Sequence, residues 1–396
     1  MGPPRNPSNG KGAQKRASRG SSSGAKAEVT HGASATGQDH VQGDAFARPQ
    51  PVPLEHQQAV LDLFKTSFRQ RIASDPSRLL QEIKGHLYNR DFDAAFGRPD
   101  YLEAYAIRWS PSRALAYLDI FRALPRDMLK PTSSPREDDG PPTLRVTCFG
   151  GGAGAEVVAL ATCLGVVQPS PRSTPNLSGE RWHLVVRVAD IANWSTVLEK
   201  LGKATLATQP SDPGIENGSD LPRFYEGDEN NPAVGFRQCD LLDLSSEELQ
   251  SLVVDARLIT IMFTLNELYA ASRVKTTKLL LDIGSVVQIG TFLLVVDSPG
   301  SYSSVKLGSG GAASQAEQKT YPMHWLLDHT LLSAGAGAGA GAGDDEPGKE
   351  ACVSWRWKKI TGEESRWFRF PENLRYPVDL ENMRYQIHLY ELVERP

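Results

Sequence analysis

The chain is predicted to be an α/β protein: a mostly parallel, Rossmann-like, seven-stranded sheet with a C-terminal antiparallel hairpin and an N-terminal helical extension. Three observations predict it. The run Val146-Thr-Cys-Phe-Gly-Gly-Gly-Ala-Gly-Ala-Glu156 carries a short apolar strand through a glycine-rich turn into a helix. Strand and helix patterns then alternate as far as Asp297, the pattern that places helices on both faces of a parallel sheet. The last strand segments, Ala351–Ile360 with Arg366–Phe370 and then Arg384–Val393, leave no room for a helix between them and therefore pair antiparallel.

Residues 1–53 lack the apolar content to fold and form an expected disordered basic tail, in which six Lys and Arg precede the first acidic residue, Glu28. Residues 54–130 carry apolar residues at helical intervals over Leu54–Arg71, Ser77–Tyr88 and Ser112–Leu124, an expected helical layer. The segment Tyr101–Pro111 between them ends in Ser-Pro, which predicts the close of one helix and the start of the next. A proline- and acid-rich linker spans residues 131–142, and residues 143–396 form the main domain. Its strands are predicted at Leu144–Phe149, His183–Ala189, Gly235–Cys239, Leu258–Thr264 and Thr291–Asp297, with helices at Ala155–Leu164, Ser195–Leu201 and Ala270–Val287. Segments 168–181, 207–232, 298–319 and 333–349 are low in apolar residues and read as surface insertions, the last containing an alternating Ala-Gly run.

Composition narrows the function classes. With 40% hydrophobic residues over 396 positions the chain can bury a full core, while no apolar stretch approaches the length of a membrane span. The basic, Gly- and Ser-rich start has no apolar core of a secretory signal. Cys148, Cys163, Cys239 and Cys352 lack metal-ligand spacing and read as buried thiols of a reducing compartment, and no metal site is expected. There is no phosphate-loop Gly-Lys-Ser, no nucleophile elbow around a serine and no Cys positioned for covalent attack on a pyrimidine.

The chemistry is expected along one edge of the sheet. Glycines 150–154 permit positive φ and close backbone approach to a ligand that also faces the free N–H groups of the following helix. Gly150, Gly152 and Ala155 fit a dinucleotide turn, and Gly150, Gly152 and Gly154 fit an S-adenosylmethionine (SAM) turn equally well. Asp190 after the second strand is placed to accept ribose hydroxyls, or to serve as a helix cap. Asp240 after the third strand is placed to meet an adenine amino group with Leu241 packing on the ring, or to stabilise the turn ahead of Ser245. Asn266 and Glu267 follow the fourth strand at the carboxyl edge, where Glu267 can accept a proton and Asn266 can hold a base or a cofactor's amino acid part. Asp297 ends the fifth strand at the same edge, as a substrate-side carboxylate or a turn residue.

Four segments, Cys148-Phe-Gly-Gly-Gly-Ala-Gly-Ala-Glu156, Thr264-Leu-Asn-Glu-Leu-Tyr269, Tyr105-Ala-Ile-Arg-Trp-Ser-Pro-Ser-Arg-Ala114 and Tyr321-Pro-Met-His-Trp-Leu326, together with the terminal Tyr-Gln-Ile-His-Leu-Tyr390 strand, resemble the fungal 25S ribosomal RNA uridine-N3 methyltransferase family from about residue 54 to the end. The resemblance implies a class I SAM-dependent methyltransferase that modifies N3 of a uridine in large-subunit ribosomal RNA, free or in a pre-ribosomal particle, in the nucleolus of the nucleus. It carries the cofactor turn over to Gly150, Gly151, Gly152 and Gly154, and the acidic positions to Asp190 and Asp240. One departure stands out: Cys148 occupies the place where many SAM enzymes have an acidic residue. Because N3 is buried by pairing in duplex RNA, the target has to be unpaired or flipped, and Tyr105, Trp109, Tyr302 and Trp325 are candidates to stack on it. The competing readings are a SAM enzyme acting on a small molecule or protein, an NAD-dependent oxidoreductase and a non-catalytic ribosome-assembly scaffold. The oxidoreductase is disfavoured by the hairpin and by the 36 residues from Gly154 to Asp190, against the about 20 of a dinucleotide fingerprint.

Overall fold

The computed structural model describes residues 51–130, 143–167, 183–206, 234–299, 304–306, 320–333 and 355–395. Residues 1–50 of the expected tail, the linker at 131–142, most of the four surface insertions, Tyr302 and Cys352 lie outside the described residues; at the expected end of the tail Val52 is buried and its carbonyl accepts from Gln57 Nε2 at 2.7 Å, so packing begins before Leu54.

The helical layer comprises α1 (Leu54–Ser67), α2 (Arg69–Ala73), α3 (Ser77–Tyr88), α4 (Phe92–Phe96) and α5 (Pro99–Ala123). The sheet domain follows as β1 (Thr143–Phe149), α6 (Ala155–Val167), β2 (His183–Asp190), α7 (Ser195–Leu206), β3 (Val234–Gln238), α8 (Ser246–Val253), β4 (Leu258–Met262), α9 (Leu265–Ala271), α10 (Arg273–Val286) and β5 (Phe292–Asp297). It ends with the short pair β6 (Ser304–Lys306) and β7 (Thr320–Pro322), α11 (Met323–Ser333), β8 (Trp355–Phe368) and β9 (Met383–Glu394).

Seven strands form one sheet in the order β3-β2-β1-β4-β5-β9-β8. The first five are parallel, and β9 runs antiparallel between β5 and β8, so the predicted hairpin closes the sheet. The direction of winding reverses between β1 and β4, the crevice where open α/β sheets bind ligands. Parallel strands covered on both faces are apolar throughout, and β4 and β5 are buried at every residue. One face packs under α5, α6, α7 and the N-terminal helices; the other packs under α8 to α11.

Several local expectations are corrected. Ser110-Pro111 does not separate two helices: α5 runs unbroken for 25 residues with Pro111 inside it. Proline removes one helical hydrogen bond, but nearly every residue around it is buried, and Ser110 Oγ donates to the Ala153 carbonyl at 2.7 Å. Tertiary contact thus outweighs the local cost. The fourth strand stops at Met262 rather than Thr264, because Phe263 turns the chain with φ +56° and α9 begins at Leu265. The single helix expected over Ala270–Val287 is two, broken at Ser272, whose hydroxyl caps α10 by accepting from Lys275 N. Of the segments expected at Ala351–Ile360 and Arg366–Phe370, Trp355–Ile360 and Arg366–Phe368 belong to one bulged strand, β8, and residues 351–354 lie outside the described residues.

Candidate active site

The glycine turn leaves β1 at the crevice. Gly150 and Gly154 both have φ +78°, a conformation that L side chains rarely adopt. At Gly150 an added Cβ would run into the Thr264 side chain, and at Gly152 it would fall inside the Trp194 indole. The turn is therefore pressed between the segment after β4 and the segment after β2.

Asp190 fastens that turn. Its Oδ2 accepts from Gly152 N at 3.0 Å and its Oδ1 from Ala192 N at 3.1 Å, so one carboxylate ties the glycine turn to the end of β2. Burial raises its pKa, against the opposing effect of these bonds. Asp240 is exposed and caps the turn Leu241–Asp243, accepting from Leu242 N at 2.9 Å, while Leu241 is buried in the core on the α8–α11 face.

The missing acid at Cys148 has a counterpart. Glu156, in the first turn of α6, is only 3% exposed and its carboxyl lies directly beneath the turn, Oε2 within 2.5 Å of where a Cβ on Gly151 would sit. It contacts Cys148 and accepts from Thr260 Oγ1 at 2.6 Å. The carboxyl absent from the strand is thus supplied by the helix, a residue the sequence reading did not single out. Burial pushes the Glu156 pKa up to about 7, only partly opposed by the Thr260 bond, and burial with the nearby Glu156 charge raises the Cys148 thiol.

A folded-state pKa above the unfolded one means that Glu156 stabilises the fold fully below about pH 4.5 and that this contribution is lost as pH rises through about 7. Glu156→Gln keeps an acceptor for Thr260 but cannot ionise. Its melting temperature is expected to match the parent near pH 5 and to exceed it at pH 8, by an amount corresponding to about 2–3 kcal/mol. Thermal unfolding across that range is the check; parallel curves would refute the assignment.

Asn266 and Glu267 lie on the first turn of α9. Asp297, 2% exposed, accepts from Asn266 N at 3.0 Å, Asn266 Nδ2 at 2.7 Å and Ser298 N at 2.7 Å. Because Asn266 Nδ2 donates to both Asp297 Oδ1 and Ser298 O, its amide orientation is set, and Oδ1 is left as a buried acceptor with no partner. Burial raises the Asp297 pKa to about 6 despite these bonds. Glu267 is half-exposed and pairs with Arg90 at 3.4 Å, across from the α3–α4 connection.

The helical layer forms the wall of the site. Phe96, Tyr105, Trp109 and Trp194 pack edge-on or tilted against one another with centroids 4.6–5.7 Å apart. Between this wall and Phe263 sits Arg113 of α5, 5.0 Å from the Phe263 ring and donating to Tyr105 Oη at 2.9 Å. Its charge acts on both Glu156 and Asp297, yet among the described residues no carboxylate lies within ion-pair distance of it. Arg113 was also missed at the sequence level, being quoted only within a motif. Trp325 lies elsewhere, stacked on Tyr321 at 4.6 Å on α11.

These residues suit SAM. The tight turn at the N-terminus of α6 and the unpaired guanidinium of Arg113 offer a backbone cradle and a partner for a carboxylate, and the orphaned Asn266 Oδ1 leaves a further acceptor beside them. No group of three or more His, Cys, Asp or Glu suited to a metal occurs among the described residues.

Comparison with known proteins agrees. A yeast protein of Saccharomyces cerevisiae, 25S rRNA (uridine(2843)-N(3))-methyltransferase, is 29% identical over 348 residues, covering 84% of this chain and 85% of its own. Similar solved structures include a SAM-dependent methyltransferase from Methanosarcina mazei (10% identity, 63% of this chain and 93% of that one, TM-score 0.33). Another is Haemonchus contortus phosphoethanolamine N-methyltransferase 1 (14% identity, 82% and 49%, TM-score 0.35). The family model described as "Putative SAM-dependent methyltransferase" matches residues 64–391. With that match over most of its length, and a glycine turn at the switch point of a parallel sheet closed by an antiparallel hairpin, the chain belongs to this family of SAM-dependent methyltransferases.

Proposed function

We propose that this methyltransferase acts on N3 of a uridine in 25S large-subunit ribosomal RNA, free or within a pre-ribosomal particle, in the nucleolus. The observation that carries the reading is the convergence of the glycine cradle, Arg113 and the Asn266–Asp297 pair on one edge beneath an aromatic wall. The yeast relative, similar along most of both chains, supports the substrate class. In this reading residues 143–396 are the catalytic domain, residues 54–130 wall its site, and the basic residues of 1–53 favour contact with RNA.

When bound, SAM supplies an electrophilic sulfonium methyl. Gly150, Gly151, Gly152 and Gly154 form its cradle, with Asp190 both fastening the turn and offering its remaining lone pairs to ribose hydroxyls. Arg113 pairs with the methionine carboxylate, and Asp240 and Leu241 border the adenine. On the substrate side, Asn266 Oδ1 accepts the N3–H of the incoming uridine and aligns that edge of the base; the proton then leaves to Glu267 at the rim, and the N3 electron pair so freed would take the methyl while the pair of the broken S–C bond stays on sulfur. Trp109, half-buried against the core ring of Tyr105, offers a face for an unpaired base.

Mass spectrometry of nucleosides from large-subunit ribosomal RNA tests the assignment. Cells lacking the chain are expected to lose one 3-methyluridine, restored by the intact protein but not by Asn266→Ala. Unchanged 3-methyluridine would sink the substrate.

A further inference from the structure

The hairpin that closes the sheet carries a feature the cofactor site does not use. Trp367, near the end of β8, is 49% exposed, although an indole is costly to leave in water. The Arg369 guanidinium lies 4.1 Å from its ring centroid and that of Arg384 lies 5.9 Å away. Arg384 is steadied by a 2.9 Å bond from Nε to Ser365 Oγ, and neither arginine has a carboxylate partner among the described residues. In a chain of net charge -4, two unpaired guanidiniums around an exposed aromatic ring form a local cationic stacking surface.

Its position relates it to the reaction. In the β5–β9 register Asp297 stands opposite Gln386, whose Nε2 donates to Ser298 O at 2.8 Å. Arg384 lies two residues before Gln386, toward the start of β9, so its side chain leaves the same face as Gln386, and Trp367 is its partner across the β8–β9 pair. The platform therefore projects past the carboxyl edge, roughly 7 Å beyond Asp297 along the strand and about 10 Å across two strands. That places it beside the catalytic edge without overlapping the glycine cradle.

We propose that Trp367, Arg369 and Arg384 form a docking platform for single-stranded RNA flanking the target uridine. A base stacks on the exposed part of the indole and the adjoining phosphates are neutralised by the two guanidiniums. The proposal rests on the RNA substrate class proposed above. It does not depend on which nucleotide is modified, since stacking and phosphate contacts are tolerant of sequence.

Fluorescence anisotropy of a labelled single-stranded oligouridine with the full chain, titrated over a range of salt, is the test. It is paired with calorimetry of S-adenosylhomocysteine on the same samples. Trp367→Ala is expected to weaken oligonucleotide binding at least fivefold, and Trp367→Phe to recover most of it. Arg369→Ala with Arg384→Ala is expected to lower the slope of log affinity against log salt by about one to two. S-adenosylhomocysteine affinity stays unchanged in all three. Unchanged RNA affinity and salt slope in variants that still bind the cofactor product overturn the platform alone. A parent protein that binds S-adenosylhomocysteine but no single-stranded RNA overturns the RNA reading, and the platform with it.

Discussion

Replacing Gly152 with alanine is expected to weaken SAM binding by at least about a hundredfold, about 2.8 kcal/mol. An alanine Cβ there would occupy the same space as the Trp194 ring. Trp194 is buried and held by Phe96 and Tyr105, so it cannot swing aside cheaply, and the backbone of the turn has to move instead. That movement breaks the bond from Gly152 N to Asp190 and re-aims the N–H groups that face the ligand. Gly202→Ala is the control. It lies on α7 with its nearest neighbours, from Val234, at 3.6 Å or more, and a helical glycine exchanged for alanine gains stability. Calorimetry with SAM on both variants is the measurement. A Gly152→Ala protein that melts normally and binds SAM as the parent does would show that the cofactor does not use this turn.

The second large effect is expected at Asn266. Removing its side chain in Asn266→Ala should lower turnover about 10²- to 10³-fold, while S-adenosylhomocysteine affinity stays within about threefold, because Oδ1 is proposed to face the substrate rather than the cofactor. The amide is aimed by Asp297, whose ionised carboxylate accepts from Asn266 Nδ2 and from two backbone N–H groups and has no donor of its own. With the Asp297 pKa raised to about 6 by burial, protonation below that value supplies a competing donor, so turnover should fall as pH drops through about 6. Asp297→Asn should lose charge-assisted bonds and remove that acid limb. Single-turnover rates from pH 5 to 8 read both effects. A parent-like pH profile in Asp297→Asn, or a large loss of cofactor affinity in Asn266→Ala, would reassign the pair.

These two expectations draw differently on sequence and structure. The glycine turn was legible because strand, turn and helix follow each other within a dozen residues, and each imposes a local composition. Asn266 and Glu267 were legible as edge residues but not as helix residues. The sequence pattern extends the strand to Thr264, whereas Phe263 turns at φ +56°, held by its N–H to Val296 O at 2.7 Å and by Arg113 over its ring. Such a backbone is stable only when neighbouring elements enforce it. Pro111 is the same case reversed: a local helix breaker is overruled by the burial of α5.

What the sequence by itself determined is the α/β class, the alternation of strands and helices, the position of the glycine turn and the closing hairpin, because all of these are written in short-range periodicity. Only the tertiary structure decided which carboxyl stands beneath the turn. Cys148 and Glu156 are separated by the turn itself, and the chain reversal brings the helix carboxyl to the strand thiol. It likewise decided that Arg113, far from the sheet in sequence, lies unpaired between Tyr105 and Phe263, and that Asp190 fastens Gly152. The physical reason is common to these cases. A buried charge is defined by the groups that surround it, and here they come from α5, β1, β2, α6, β4 and β5, which meet only when the sheet is wound.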